Sequence, residues 1–185
     1  TVLVPKWQRY SGQGDTLVCG DRLFLGSGYR SDKEMQKFMS DTFKFKRQPK
    51  YDIIPIQTIP ATENGMPIRN KVSNWPDSKF YDIDLAMGVV DQDTIAWCPE
   101  AFLPESQDRI AALDVGQIIV DKKEAEEAFA CNFVSTGRKV VMGTGAPKLQ
   151  AAIEAHGLQT ETLEIHELVK GGGFIRCIAL TLDNE

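Results

Sequence analysis

One pattern recurs about three times along this chain: two short strands around a tight turn, a helix, and a further strand. In the first copy, strands at 16–19 and 22–26 flank Gly20-Asp21, the capping-box spacing of Ser31 and Glu34 opens a helix reaching about Phe45, and residues 51–59 read as a strand. The second places strands at 81–90 and 94–98 around an Asp91-Gln92 turn, a short helix over 106–113, and a strand at 116–120. Asp121 and Glu124 cap a connecting helix to about Ala130. The third copy sets strands at 131–135 and 139–142 around Thr136-Gly137, a helix from Pro147 closed by Gly157, and a last strand at 162–165. Residues 60–79, rich in Pro, Asn and Gly, read as one long loop. A unit this small cannot bury its apolar face alone, so neighbouring units must stack. The pattern therefore predicts an α/β fold of repeated strand-strand-helix-strand units, propeller-like or otherwise pseudo-symmetric, in a single domain over residues 1–185.

Near the carboxyl end the chain reads Lys170-Gly171-Gly172-Gly173-Phe174-Ile175-Arg176-Cys177. Successive glycines admit positive φ and let the backbone come close to a ligand, while residues 174–180 alternate and are branched enough to read as a strand. Cys177 then falls at a strand-turn boundary with Lys170 and Arg176 nearby, a setting that suits a thiolate nucleophile. The same residues equally describe a flexible joint followed by a core cysteine.

Composition narrows the function classes. With 185 residues, 42% hydrophobic and 25% charged, the chain is long enough to bury a real core. Its net charge is −5 and its Lys and Arg residues form no sustained stripe, which argues against a nucleic-acid partner. No apolar run approaches the roughly 18 residues of a membrane span, and no signal-peptide pattern opens the chain, so a cytoplasmic setting is expected. Cys19, Cys98, Cys131 and Cys177 lie far apart with no C-x-x-C pair, which reads as reduced thiols rather than a disulfide framework or a structural zinc site.

Asp82 and Asp84 share a face if 81–90 is a strand, opposite Tyr81, Ile83 and Leu85. Two such carboxylates hold a cation, or else form the solvent side of an amphipathic strand. Asp15 after Gly14 reads equally as a turn residue, and Arg30 beside Ser31 as the flank of a helix start.

Four segments in order resemble the guanidino-group-modifying (pentein) superfamily: Gly12-Gln13-Gly14-Asp15; Arg22 to Gly26 continuing through Tyr29-Arg30-Ser31-Asp32; Phe80-Tyr81-Asp82-Ile83-Asp84-Leu85; and the glycine tail with Arg176-Cys177. That superfamily contains dimethylarginine dimethylaminohydrolase, the arginine and agmatine deiminases and the amidinotransferases, and the chain looks most like a dimethylargininase or an amidinotransferase. The resemblance implies a cytoplasmic hydrolase or transferase of arginine metabolism. In such enzymes a cysteine attacks the central carbon of a guanidinium, carboxylates grip its nitrogens, and a histidine moves protons. Cys177 matches the nucleophile. Asp84 and Asp15 match guanidinium-binding carboxylates, Arg30 matches an arginine that pairs with a substrate carboxylate in some members, and Gly172 and Gly173 match the backbone beside the substrate. No organic cofactor and no metal are implied; the partner is a small guanidino compound.

The chain also departs from the family pattern. Asp82 stands where the family carries the histidine of its H-x-D motif, which leaves Asp82 as the candidate proton carrier. Ser11 or Gly12 stands where a glutamate precedes Gly-Asp. About three units are present where the family closes five into a ring, as in an α/β propeller, so a missing N-terminal part or a homo-oligomer is expected to cover the open edge. Of the two histidines, His156 reads as a surface residue at a helix C-terminus and His166 as a loop residue before the glycines. These departures keep a second class open, a non-catalytic relative that binds a cationic ligand or a protein partner.

Overall fold

A computed structural model describes residues 5–45 and 51–180. Its first unit is strand β1 (Thr16–Cys19), strand β2 (Arg22–Gly26), helix α1 (Lys33–Phe45) and strand β3 (Asp52–Ile56). A small hairpin, β4 (Thr62–Glu63) and β5 (Met66–Pro67), follows. The second unit is β6 (Met87–Asp91), β7 (Thr94–Trp97), α2 (Pro104–Ala111) and β8 (Gly116–Ile119). Helix α3 (Lys122–Ala128) leads to the third, which is β9 (Val134–Ser135), β10 (Lys139–Gly143), α4 (Pro147–Ala155) and β11 (Gln159–Leu163). A short helix α5 (His166–Lys170) then precedes the glycines.

Each unit builds the same sheet. An antiparallel hairpin (β1–β2, β6–β7, β9–β10) is extended on its second strand by a parallel one (β3, β8, β11). A parallel third strand requires a crossover, and α1, α2 and α4 supply it. The middle strands β2 and β7 are buried almost throughout, because they are paired on both edges and covered on both faces. The first strands stand side by side, β1 against β6 and β6 against β9. One continuous apolar cluster joins the units through Leu17, Phe24, Met87, Ile95, Phe133, Val140 and Met142.

Glu124 caps a different helix from the one its spacing indicated. Pro147 opens α4 without an N–H, and the residue before it, Ala146, has no side-chain oxygen; the buried Glu124 carboxylate reaches across from α3 to accept the N–H groups of Lys148 (2.8 Å) and Leu149 (3.0 Å). Asp121 caps α3 as expected, accepting from Lys123 and Glu124. Ser31 likewise leaves its expected role: its hydroxyl accepts the Ser11 N–H at 2.9 Å, tying the segment before β1 to the start of α1.

Five readings of local structure are corrected. Residues 174–180 form no strand, and no strand among the described residues pairs with them; Phe174 and Ile175 are buried and the chain then turns as a 3-10 helix over Arg176–Ile178. Residues 81–90 are not one strand either. The chain bends as a 3-10 turn over Ile83–Leu85 before β6 begins, so Asp82 and Asp84 are not related by strand alternation. The stretch 60–79 contains the β4–β5 hairpin, and β11 spans Gln159–Leu163 rather than 162–165. His166 opens α5 rather than lying on a loop.

Candidate functional site

The segments that enter the first strand of each unit converge, and they carry the buried Asp15, Asp82, Asp84 and Asn132. Asp15 immediately precedes β1, Asp84 lies three residues before β6, and Asn132 two residues before β9. Side-by-side first strands therefore bring three equivalent positions together. All three residues are buried, and Asp82 beside them is 4% exposed.

Two glycines allow the approach. A Cβ at Gly14 would stand 2.5 Å from Asp82 Oδ2, and one at Gly26 would collide with Asp15 Oδ1 and lie 2.6 Å from Ile83 Cγ2. The bend at 83–85 completes the arrangement, since the Ile83 N–H donates to Asp15 Oδ1 at 3.1 Å. Asp82 Oδ2 accepts from Arg30 Nη1 at 2.9 Å, and the Arg30 guanidinium lies 5.1 Å from the centre of the Tyr81 ring. Asp84 Oδ2 faces Arg176 Nε at 3.9 Å. Among the described residues, the buried Asp15 Oδ2, Asp82 Oδ1 and Asp84 Oδ1 accept no hydrogen bond, and the buried Arg176 Nε donates none.

Crowding of acids in a desolvated place shifts their titration. Burial first, and Asp82 second, push Asp15 up to about 6; burial, then Asp82, push Asp84 up to about 7 against the opposing pull of Arg176. Asp82 is also raised by burial, while the neighbouring Ser11 side chain and the charge of Arg30 hold it back. The three carboxyls form one acidic cluster in which each raises or is raised by its neighbours, Asp15 and Asp84 reaching about 6 and about 7.

The turn carrying Cys177 is fixed to this cluster by three side chains. Asn132 is the hinge: its Nδ2 donates to the Asp84 carbonyl at 3.3 Å, while its Oδ1 accepts the Arg176 N–H at 3.1 Å and faces Cys177 Sγ at 3.5 Å. Gln13 Nε2 donates to the carbonyls of Ala179 (2.7 Å) and Arg176 (3.3 Å). The Tyr81 hydroxyl donates to the Gly172 carbonyl, and Gly172 takes φ +81, a conformation that favours glycine. Gly173 lies against the Cys177 side chain. Cys177 is exposed, yet its thiol is pushed up, first by partial burial among these neighbours and next by Asp84. Cys19 and Cys98 are buried and pushed up to about 11, and Cys131 is raised further by complete burial.

Of the residues singled out in the sequence, the structure thus gathers Cys177, Asp15, Asp82, Asp84, Arg30, Gly172 and Gly173 into one locality. Both histidines lie elsewhere. His156 Nε2 sits 2.8 Å from Asp91 Oδ2, tying the end of α4 to the β6–β7 turn, and His166 is exposed with Glu164 at 3.8 Å. Sequence reasoning missed Asn132 and Gln13; superposing the repeats would have placed Asn132 at the strand entry that Asp15 occupies. No group of three His, Cys, Asp or Glu among the described residues is arranged to hold a metal ion. No helix among them is long and apolar enough to cross a membrane.

No family model matches the chain. It is 30% identical over 171 residues to the N(G),N(G)-dimethylarginine dimethylaminohydrolase of Mycobacterium tuberculosis, an alignment covering 92% of this chain and 49% of that protein. The chain therefore spans about half the length of that relative. Among solved structures, the N-terminal domain of ArgZ, a cyanobacterial arginine dihydrolase bound to product, superposes with a TM-score of 0.77 at 21% identity over 96% of this chain and 57% of that one. Dimethylarginine dimethylaminohydrolase from Pseudomonas aeruginosa, as a cysteine-to-serine mutant complexed with citrulline, gives 0.63 at 16% identity over 92% of this chain and 55% of that one. With the ordered motifs, the 30% identity to the mycobacterial enzyme indicates the guanidino-group-modifying superfamily, and the solved structures share its fold.

Proposed function

We propose that this chain binds a guanidinium compound at Asp15 and Asp84 and presents Cys177 to its central carbon, as a guanidino-group hydrolase of dimethylargininase or deiminase type, or an amidinotransferase, does. The observation that carries this reading is the set of buried carboxylate oxygens without donors, beside the exposed thiol. A planar cation with five N–H donors matches such acceptors, and its charge offsets the repulsion that raises Asp84. The same charge favours the Cys177 thiolate, so ligand and nucleophile activate one another.

In the reaction the thiol loses its proton and sulfur bonds to the guanidinium carbon, which becomes tetrahedral. The departing nitrogen takes up a proton, its C–N bond breaks, and an S-linked thiouronium remains. Attack by water, or by an acceptor amine in a transferase, breaks the C–S bond and restores the thiol. Asp82 is the proton carrier of this scheme, its carboxyl raised by burial beside the reacting group. Gly172 and Gly173 bring backbone close to the bound group. The likeness to the superfamily's folds supports reading the three units as part of an α/β propeller of five. Exposed Ile119, Ile178 and Leu180 support a covering partner or second copy, and free cysteines fit a cytoplasmic setting.

A second reading has its own observation. Arg30 holds Asp82 in an ion pair, which favours the ionised carboxylate and withholds it from proton transfer; the site then binds a cation without turning it over. Asp82→His separates the two. Using a substrate labelled with carbon-13 at the guanidine carbon, followed by NMR, the variant is expected to release product at least ~10-fold faster than the parent, the scale of one positioned general acid-base group. Binding in both proteins with product from neither would leave only the non-catalytic reading.

A further inference from the structure

We infer that Gln13 and Asn132 are positioning residues for the proposed reaction, two amide side chains that hold the Cys177 turn where a guanidinium gripped by Asp15 and Asp84 meets the sulfur. The inference rests on the guanidinium reading above and adds what aligns its nucleophile with its binding groups.

The turn over Arg176–Ile178 has no strand to set its register, since none among the described residues pairs with 174–180. Side chains tether it instead. Among the described residues, the hydrogen bonds that join the main chain of 176–179 to other segments end on Gln13 or Asn132. Gln13 Nε2 donates to the carbonyls at the two ends of the turn, Arg176 at 3.3 Å and Ala179 at 2.7 Å. Asn132 takes up the Arg176 N–H twice, on Oδ1 at 3.1 Å and on its own main-chain carbonyl at 3.3 Å.

Each amide starts from a different carboxylate. Gln13 lies in the 3-10 turn Gly12–Asp15 that delivers Asp15 to β1, and Asn132 donates from Nδ2 to the Asp84 carbonyl at 3.3 Å. Asp15 and Asp84 are thereby each linked to the Cys177 turn by one side chain, from positions 163 and 44 residues away in sequence. An amide suits the task, because it carries donor and acceptor yet adds no charge to crowded acids. Asn132 is fully buried while Cys177 is exposed, so the clamp holds the turn from the interior and leaves the nucleophile open on its other side. Such alignment matters to a bond-forming step, where a displacement of about 1 Å costs as much as ~100-fold in rate.

Alkylation of Cys177 by chloroacetamidine, a planar cation, and by chloroacetamide, its neutral counterpart, tests the inference when the modified peptide is followed by mass spectrometry. In both reactions a C–S bond forms, chloride leaves and the thiol proton passes to solvent. The wild-type protein is expected to favour the cation. Gln13→Met, which keeps the length of the side chain and loses both bonds, and Asn132→Ser are each expected to lower the ratio of the two rates at least ~10-fold. Agmatine binding by calorimetry and the chloroacetamide rate are expected to stay near those of the parent. A ratio that falls only together with agmatine binding and the denaturant midpoint would mark a merely structural role and overturn the inference; should Asn132→Ser fail to fold, Gln13→Met decides. An unchanged ratio in Gln13→Met would overturn it too, leaving the guanidinium reading intact. Wild-type protein that neither binds agmatine nor favours the cation would remove that reading and the inference with it.

Discussion

Raising the pH from 5 to 8 is expected to destabilise the ligand-free protein, by about 2–3 kcal/mol from Asp84 alone. The sign follows from proton counting. Asp84 titrates at about 7 in the folded chain and near the ordinary aspartate value of about 4 when unfolded, so between these values the folded state binds more protons. Stability present at low pH is therefore lost as pH rises through about 7, with Asp15 adding to the loss around 6. Carboxylates shifted the other way, Asp32, Asp91 and Asp121, titrate below this window and do not mask it. Urea unfolding at intervals of pH reads the slope. In Asp84→Asn the slope is expected to flatten by most of that amount, with guanidinium binding lost at every pH. An unchanged slope in the variant would show that Asp84 is already ionised near pH 5. A guanidinium ligand should oppose the slope in the parent, since it binds the ionised cluster and releases protons.

Gly26→Ala is expected to cost about 2–4 kcal/mol of stability and to weaken guanidinium binding by at least ~10-fold. Gly26 ends β2, and the space its side chain would need is filled by the Asp15 carboxylate and Ile83 Cγ2. An added methyl must push Asp15 off the Ile83 N–H, leaving a buried donor unpaired and spoiling the junction of the first two units. Denaturant midpoints together with ligand titration check both parts. Full stability with full binding would mean that the cluster tolerates movement of Asp15, against the account of why this residue must be glycine.

Which parts were legible from sequence follows from how far each signal reaches. Strand-turn-strand patterns and helix starts are set by near neighbours, so β1, β2, α1, α4 and the Asp121 cap stood at or within a few residues of their expected places. The run after Gly173 misled because branched, alternating residues are only a willingness to pair, and among the described residues no strand pairs with 174–180. Asp82 and Asp84 were linked for the wrong geometric reason. Strand alternation would have set them on one face, whereas the 83–85 turn and the Asp15 bond to Ile83 bring them to the cluster. Tertiary bonds decided the rest: Glu124 caps α4, Ser31 binds Ser11, and Asn132 couples Asp84 to Cys177. None of these has a local signature. Repetition supplied the missing register, because the strand entries of the three units face one another.

If Cys177 stands beside carboxylates that take a guanidinium, as proposed, the thiol should react with an arginine-like haloacetamidine. Treatment with and without a competing guanidine, followed by digestion and mass spectrometry of all four cysteines, measures this most directly. Rapid modification confined to Cys177 and suppressed by the competitor is expected. Slow modification shared among several cysteines, or labelling of Cys177 that the competitor leaves unchanged, would contradict it.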